Sequence, residues 1–188
     1  MKRLLALVFV VMFAVTAPVA TFAPKSYGAD FKFLIGVNSS TVHEHSYLDL
    51  RPESKGGFLL GGGAEFNLSK NISFELNGLY FQKRYTQIVD AWTEESRIIA
   101  FTVHEINLPI LVKFKRLFRS PFYLFGGGEL AYIASGALIY KFDYGAVAGG
   151  GIELERLIPF SSIEVRFRLG IKAITIAFIL AFSLVSGN

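Results

Sequence analysis

His104-Glu-Ile-Asn-Leu-Pro-Ile-Leu-Val-Lys-Phe114 reads HEINLPILVKF, an apolar run broken by Glu105, Asn107 and Lys113 with a proline at its centre. A helix would place Pro109 in its interior, where the ring deletes a hydrogen bond and clashes with the preceding turn at a cost of about 3 kcal/mol. A strand has no such conflict, because successive side chains point to opposite faces. Ile106, Leu108, Ile110, Val112 and Phe114 then share one face, and Glu105, Asn107, Pro109, Leu111 and Lys113 share the other. Soluble sandwiches and membrane barrels both alternate in this way, so the rest of the chain has to say which face meets what.

The same alternation recurs along the chain. A first strand is expected near Phe31 to Thr41 and a second near Gly56 to Leu68, followed by a tight turn over Leu-Ser-Lys-Asn, residues 68–71. A third runs from Ile72 to Arg84, and the opening stretch, extended back to about Ile98, forms the fourth. After a basic turn from Lys115 to Pro121, further alternating segments begin at Phe122, Phe142, Ile163 and Thr175 and complete a set of eight. In every segment one face carries large Phe, Ile and Leu residues, and the other carries Gly, Ala, Ser and charged residues. A soluble barrel would turn its large groups inward and crowd charge on the solvent side. Small and ionic residues instead suit a narrow lumen, with the large apolar groups facing lipid.

The fold class expected is therefore all-β: an eight-stranded, antiparallel, up-and-down transmembrane β-barrel. Its expected lumenal charges are the acids Glu65, Glu75, Glu105, Glu129, Asp143, Glu153 and Glu164 and the bases Lys32, Lys83, Lys113, Arg166 and Arg168. An eight-stranded interior is just filled by side chains, so these nearly balanced charges are expected to form a hydrogen-bonded ionic plug and not a conducting channel.

Composition agrees with this class. Of 188 residues, 52% are hydrophobic and only 18% charged, below the ~25% charged of an average soluble domain, and there are 19 Phe and 18 Gly. The net charge of +4 falls to +2 without Lys2 and Arg3, which gives no basis for nucleic-acid binding. Cysteine is absent, excluding disulfides and thiolate metal sites. Met-Lys-Arg followed by LLALVFVVMFAV and a small-residue zone reads as a signal peptide over residues 1–23, with cleavage after Gly28 or Ala29 competing. The barrel domain is assigned to residues 30–188, in the outer membrane of a Gram-negative-type bacterium.

EINLPILVKF, followed by PFYLFGGGELAYIAS, FDYGAVAGGGIELE and IEVRFRLGI, resembles the small outer-membrane β-barrel domain family that includes PorT-like proteins and, more loosely, the OmpX-like barrels. The resemblance implies a porin-family type of barrel with both termini in the periplasm, and it brings no catalytic motif with it.

Three glycine runs, Gly61 to Gly63, Gly126 to Gly128 and Gly149 to Gly151, lack the strand-to-helix turn that phosphate binding requires and read as relief for curvature and lumen packing. His43 and His45 could share a face and hold a metal, but no third ligand lies nearby. A lipid A deacylase-like hydrolase is the enzymatic alternative. Glu44, His45 and Ser46 are adjacent in sequence, which points neighbours to opposite faces and makes a poor triad. His104 falls on the apolar face near the rim. Trp92, among Asp90, Glu94 and Glu95, suits either a partner contact or an interface anchor. The expected function is non-enzymatic, structural or surface-interacting, with a narrow solute channel as a further alternative. No cofactor is expected. The expected partner is outer-membrane lipid, the residues specify no envelope or surface partner, and a monomer is the expected state.

Overall fold

The computed structural model describes residues 29–42, 53–89, 97–115, 120–135, 141–154, 161–171 and 173–185. They form eight strands: β1 (Ala29–Val42), β2 (Glu53–Asn67), β3 (Ile72–Val89), β4 (Arg97–Phe114), β5 (Phe122–Ser135), β6 (Phe142–Glu153), β7 (Ser161–Gly170) and β8 (Ala173–Val185). Each pairs antiparallel with its sequence neighbour, and β1 pairs with β8, so the sheet is a closed barrel in β1 to β8 order. Closure leaves no strand edge within the wall, the condition for a sheet to sit in hydrocarbon. The described residues contain no helix long and apolar enough to cross a membrane.

Pro109 falls where the pairing of β4 with β3 lapses, between Leu76↔Ile110 and Leu79↔Asn107, while Leu108 and Ile110 keep β4 in register with Leu130 and Gly128 of β5. The turn between β2 and β3 is closed by Leu68 N and Ser69 N donating to Ile72 O at 2.9 and 3.0 Å, while Ser69 Oγ accepts from Ile72 N at 3.0 Å. Serine in such a turn satisfies backbone groups that the ladder no longer serves.

Alternation holds around the wall. Ile35, Phe58, Ile110, Leu124, Phe167, Phe178 and Leu180 are exposed on the outside, while Leu34, Leu59, Leu111, Tyr123 and Ile179 are buried inside. The faces are those expected from the residue pattern. Several strands run further than their expected ends: β3 continues to Val89 and β4 begins at Arg97, with Val89 paired to Arg97. These 18-residue strands project beyond the barrel at the end opposite the termini. β2 joins them through Glu53↔Thr86, past a register shift at Ser54/Gly57, where Gly56 has φ +74°. That conformation is costly for residues with a Cβ and marks the bulge that turns β2 toward the projecting hairpin.

Two inward glycines opposite β5 show why the glycine runs exist. Gly149 pairs with Phe125 and Gly151 with Tyr123, and a Cβ on either would stand 2.5 Å from the partner's ring. Large inward aromatics on β5 thus take the space that β6 leaves open, a device that keeps a small lumen packed.

Candidate functional site in the barrel lumen

Inward alternation brings the ionisable side chains of seven strands to one axis. Among the twelve expected lumenal charges, Glu65, Glu75, Lys83, Glu105, Lys113, Glu129, Asp143, Glu164, Arg166 and Arg168 are buried. Lys32 and Glu153 are partly exposed, with side chains 15% and 31% accessible, at the end near the termini.

They group into two sets. Toward the termini, Lys113 Nζ lies 2.5 Å from Glu75 Oε2, 2.8 Å from Glu164 Oε1 and 3.7 Å from Glu65 Oε2. Arg166 reaches Glu164 Oε2 through Nη2 at 2.5 Å and Nε at 2.9 Å, and its Nη2 also reaches Glu75 Oε1 at 3.0 Å. Lys32 pairs with Glu65 and lies 3.4 Å from Glu75. Ser73 Oγ donates to Glu65 Oε1 at 2.7 Å, Asn77 Nδ2 to Glu75 Oε1 at 2.6 Å, and Tyr123 Oη to Glu164 Oε1 at 2.8 Å. The rings add to this: Lys113 Nζ sits 4.7 Å above the centre of Tyr123, and the Arg166 guanidinium 5.3 Å from Phe125.

Toward the projecting end, Lys83 Nζ meets Glu105 Oε2 at 2.7 Å. Arg168 Nη2 meets Asp143 Oδ2 at 2.8 Å, and its Nε stands 2.5 Å from Glu129 Oε1, which also accepts from Asn107 Nδ2 at 2.7 Å. No ion pair joins the two sets among the described residues. Leu79 and Phe81 separate their members along β3, Leu111 and Pro109 along β4, and Phe125 along β5. The lumen is accordingly not ionic throughout. Leu34, Leu59, Leu79, Phe81 and Ile179 form one buried apolar cluster, and Leu111, Tyr123, Phe125 and Val147 another.

One cation escaped the residue pattern. Lys115 follows β4 in a segment that reads as a basic turn, yet its ammonium folds back to pair with Glu65, lies 3.9 Å from Glu153 and donates to Asn67 Oδ1 at 3.2 Å. With it, the terminal set has four ion-paired acids (Glu65, Glu75, Glu153, Glu164) and four bases (Lys32, Lys113, Lys115, Arg166). Removing Glu75 or Glu164 there leaves buried Lys113 and Arg166 short of one compensating charge. The alternation of β5 places Tyr123 inward, whereas the large apolar Phe125 was unmarked by the rule that small and ionic residues face inward; its pairing with the inward Gly149 is the signal that identifies it.

His104 is on the outside, half-buried, with Nδ1 2.5 Å from Tyr80 Oη. The candidates His43, Glu44, His45 and Ser46, the Trp92 segment and the leader over residues 1–23 lie outside the described residues.

On the outer wall, aromatic residues gather at two levels. Phe66, Phe74, Phe114 and Phe122 lie near the terminal end, and Phe58, Tyr80, Tyr132, Phe142 and Tyr144 toward the other. Along β4 the ten residue steps from Phe114 to His104 span about 25 Å perpendicular to a membrane for a strand tilted by ~40°, the height of an outer-membrane apolar band.

Solved structures resemble this barrel in fold. Neisserial surface protein A aligns over 84% of this chain and 99% of its own at 15% identity and TM-score 0.51. OprG from Pseudomonas aeruginosa aligns over 84% and 94% at 11% identity and TM-score 0.50. Ail, the attachment invasion locus protein of Yersinia pestis, aligns over 82% and 97% at 18% identity and TM-score 0.48. No curated protein matches the chain in sequence. The family model for the outer membrane protein beta-barrel domain matches residues 23–175. With a closed eight-stranded wall, an apolar exterior of bilayer height and that match over most of its length, the chain belongs to the outer membrane protein beta-barrel domain family.

Proposed function

We propose that this outer-membrane barrel is non-conducting and non-enzymatic, and that it serves the envelope as a structural element presenting its projecting β2–β3–β4 end to the exterior. The observation that supports this reading is the burial and ion pairing of the inward-facing charges. Ten of the twelve lumenal charges are buried, and apolar side chains from β3, β4 and β5 stand between the two ionic sets. An ion crossing would have to break pairs that compensate one another in a medium where an unpaired charge costs several kcal/mol. The projecting hairpin supports the other half of the reading, since an end built beyond the wall offers contact surface without disturbing the bilayer-spanning ladder.

Conductance tests this directly. Purified protein inserted into a planar lipid bilayer is expected to give no discrete current steps above the bare membrane at moderate voltage. Reproducible single-channel steps would replace this reading with that of a narrow channel.

A further inference from the structure

We propose that the edge of β4 beyond its pairing with β5, from Ile98 to Thr102, is a strand-addition site that takes an extended apolar segment of another protein. β4 begins at Arg97, whereas its pairing with β5 ends at His104↔Ser135, so the stretch from Arg97 to Val103 stands past that rung with β3 along its other side. The wall shows which backbone groups this stretch offers. A Cβ on Gly127 would stand 1.9 Å from Ile110 O, so the Ile110 carbonyl points at β5. Backbone groups alternate between the two sides of a strand, and the even-numbered residues of β4 therefore direct N–H and C=O toward β5, the odd-numbered ones toward β3. β4 keeps one register with β3 from Asn107 to Arg97, so the alternation carries through. Ile98, Ala100 and Thr102 aim their N–H and C=O groups to the side where β5 has ended.

The chain's own reach on that side is short. Ile133 N donates to Lys141 O at 2.7 Å, so the backbone has turned back by residue 141. The steps from Ser135 to Lys141 amount to at most about 21 Å of extended chain. Going out and returning within that length carries a ladder about two rungs past Ser135, to the level of Thr102, and leaves Ala100 and Ile98 beyond it. The connection between β1 and β2 leaves the wall on the other side of β3. Among the described residues, none pairs with Ile98 or Ala100 from the β5 side.

A row of N–H and C=O groups at strand spacing is recognised by another extended backbone. Exposed edges are ordinarily protected from such pairing by charge or proline, and the stretch from Ile98 to Val103 contains no charged residue, proline or glycine. The inner face of the overhang sets the side chains of the incoming strand. Phe101 stacks on Tyr85 with ring centres 5.4 Å apart at 28°, next to the buried Val103 and Ile133. Phe101 itself is only half-buried, so a strand laid beside it adds cross-strand neighbours on that face. The partner segment accordingly alternates, with β-branched or aromatic residues on the Phe101 side. A second copy in the same membrane fits less well, because a two-fold axis along the membrane normal would cross two edges tilted by ~40° at about 80°, far from the angle between paired strands. This assignment rests on the envelope role proposed above, since the edge meets a partner only with the projecting end at the exterior.

The test uses the full chain in detergent micelles, folded by the criterion of a heat-shifted gel band. The probes are a synthetic peptide of alternating valine and threonine with a lysine at each end, and the same peptide N-methylated at every valine and threonine, which keeps the side chains and removes the backbone donors. Binding is read by the fluorescence anisotropy of a dye on the peptide. The unmodified peptide is expected to bind roughly tenfold tighter or more than the methylated one. Ala100→Pro removes one N–H of the open edge while the odd-numbered residues keep the β3 ladder, and it is expected to weaken the unmodified peptide about fivefold or more. Ala100→Val keeps that N–H and is expected to bind as the native chain does. Equal binding of the two peptides, or binding of neither, overturns the proposal. So does native-strength binding by A100P with its heat-shifted band intact; should A100P lose the band, Ile98→Pro, in the same relation to the edge, takes its place. A two-copy species of the native chain that A100P abolishes would give the edge to a second copy and overturn the partner assignment. Discrimination by the purified chain without peptide binding at the surface of intact cells would overturn the exterior placement alone, and current steps in a bilayer would overturn the non-conducting reading while the edge stands.

Discussion

Replacing Glu75 with leucine is expected to destabilise the barrel by about 3–5 kcal/mol, the cost of removing one partner from a buried ionic set. Glu75 is fully buried and faces three cations: Lys113 at 2.5 Å, Arg166 at 3.0 Å and Lys32 at 3.4 Å. Its loss turns a balanced set of charges into one with an excess cation in a site that excludes water. It also strands Asn77, whose side-chain amide donates to the same carboxylate at 2.6 Å. Urea unfolding in lipid vesicles, followed by loss of the heat-shifted band, reads the effect as a fall in the midpoint at unchanged slope. Adding Lys113→Met to Glu75→Leu is expected to recover part of the loss, because it deletes the stranded charge. A double variant whose loss equals the sum of the single losses would show that the two side chains do not act on each other.

That prediction draws on geometry that only partly shows in the residues. The inward position of Glu75 follows from period-two alternation with Ile72, Phe74 and Leu76, and Lys113 follows in the same way from the EINLPILVKF stretch. Their meeting does not. Arg166 and Glu75 are 91 residues apart, and which rungs come opposite each other across a lumen depends on strand tilt and register accumulated around the whole wall. Bulges at Phe31/Lys32, Ser54/Gly57 and His104/Glu105 shift that register without a strong residue signature, apart from Gly56. Lys115 was hidden for another reason: it lies past the end of β4, where alternation says nothing about direction, and only the flexible reach of a lysine carries its charge back to Glu65. Leu79 and Phe125 are large and apolar yet face inward, because Gly61 of β2 and Gly149 of β6 leave room for them. The outer wall was the most legible part, since lipid imposes one requirement on every strand, whereas the lumen is a packing problem with many solutions.

Placing arginine at position 110 is expected to cost about 2–4 kcal/mol, the penalty for a cation on the lipid face near the bilayer midplane. Ile110 is 49% exposed on the outer wall, four residues from Phe114 and six from His104, close to the middle of the apolar band. The same substitution at Ala100, exposed on the outward face of the projecting part of β4, is expected to cost about 0–1 kcal/mol. Depth separates the two positions, because both are exposed and both lie on the outward face of one strand. Unfolding midpoints measured side by side in vesicles check the contrast. A barrel that kept its apolar side chains in contact with water would tolerate arginine equally at both.

The most direct test of the lipid-facing assignment exploits the absence of cysteine from the chain, which allows single nitroxide labels to be attached without other changes. Labels at positions 108, 110 and 112 in the protein reconstituted into vesicles, with position 100 as an aqueous reference, would be compared for relaxation by oxygen, which concentrates in hydrocarbon, and by a water-soluble nickel complex. A lipid-facing wall gives oxygen-dominated relaxation at 108, 110 and 112, strongest at 110, and nickel-dominated relaxation at 100. Nickel-dominated relaxation at all four positions would place the large apolar face in water and contradict it.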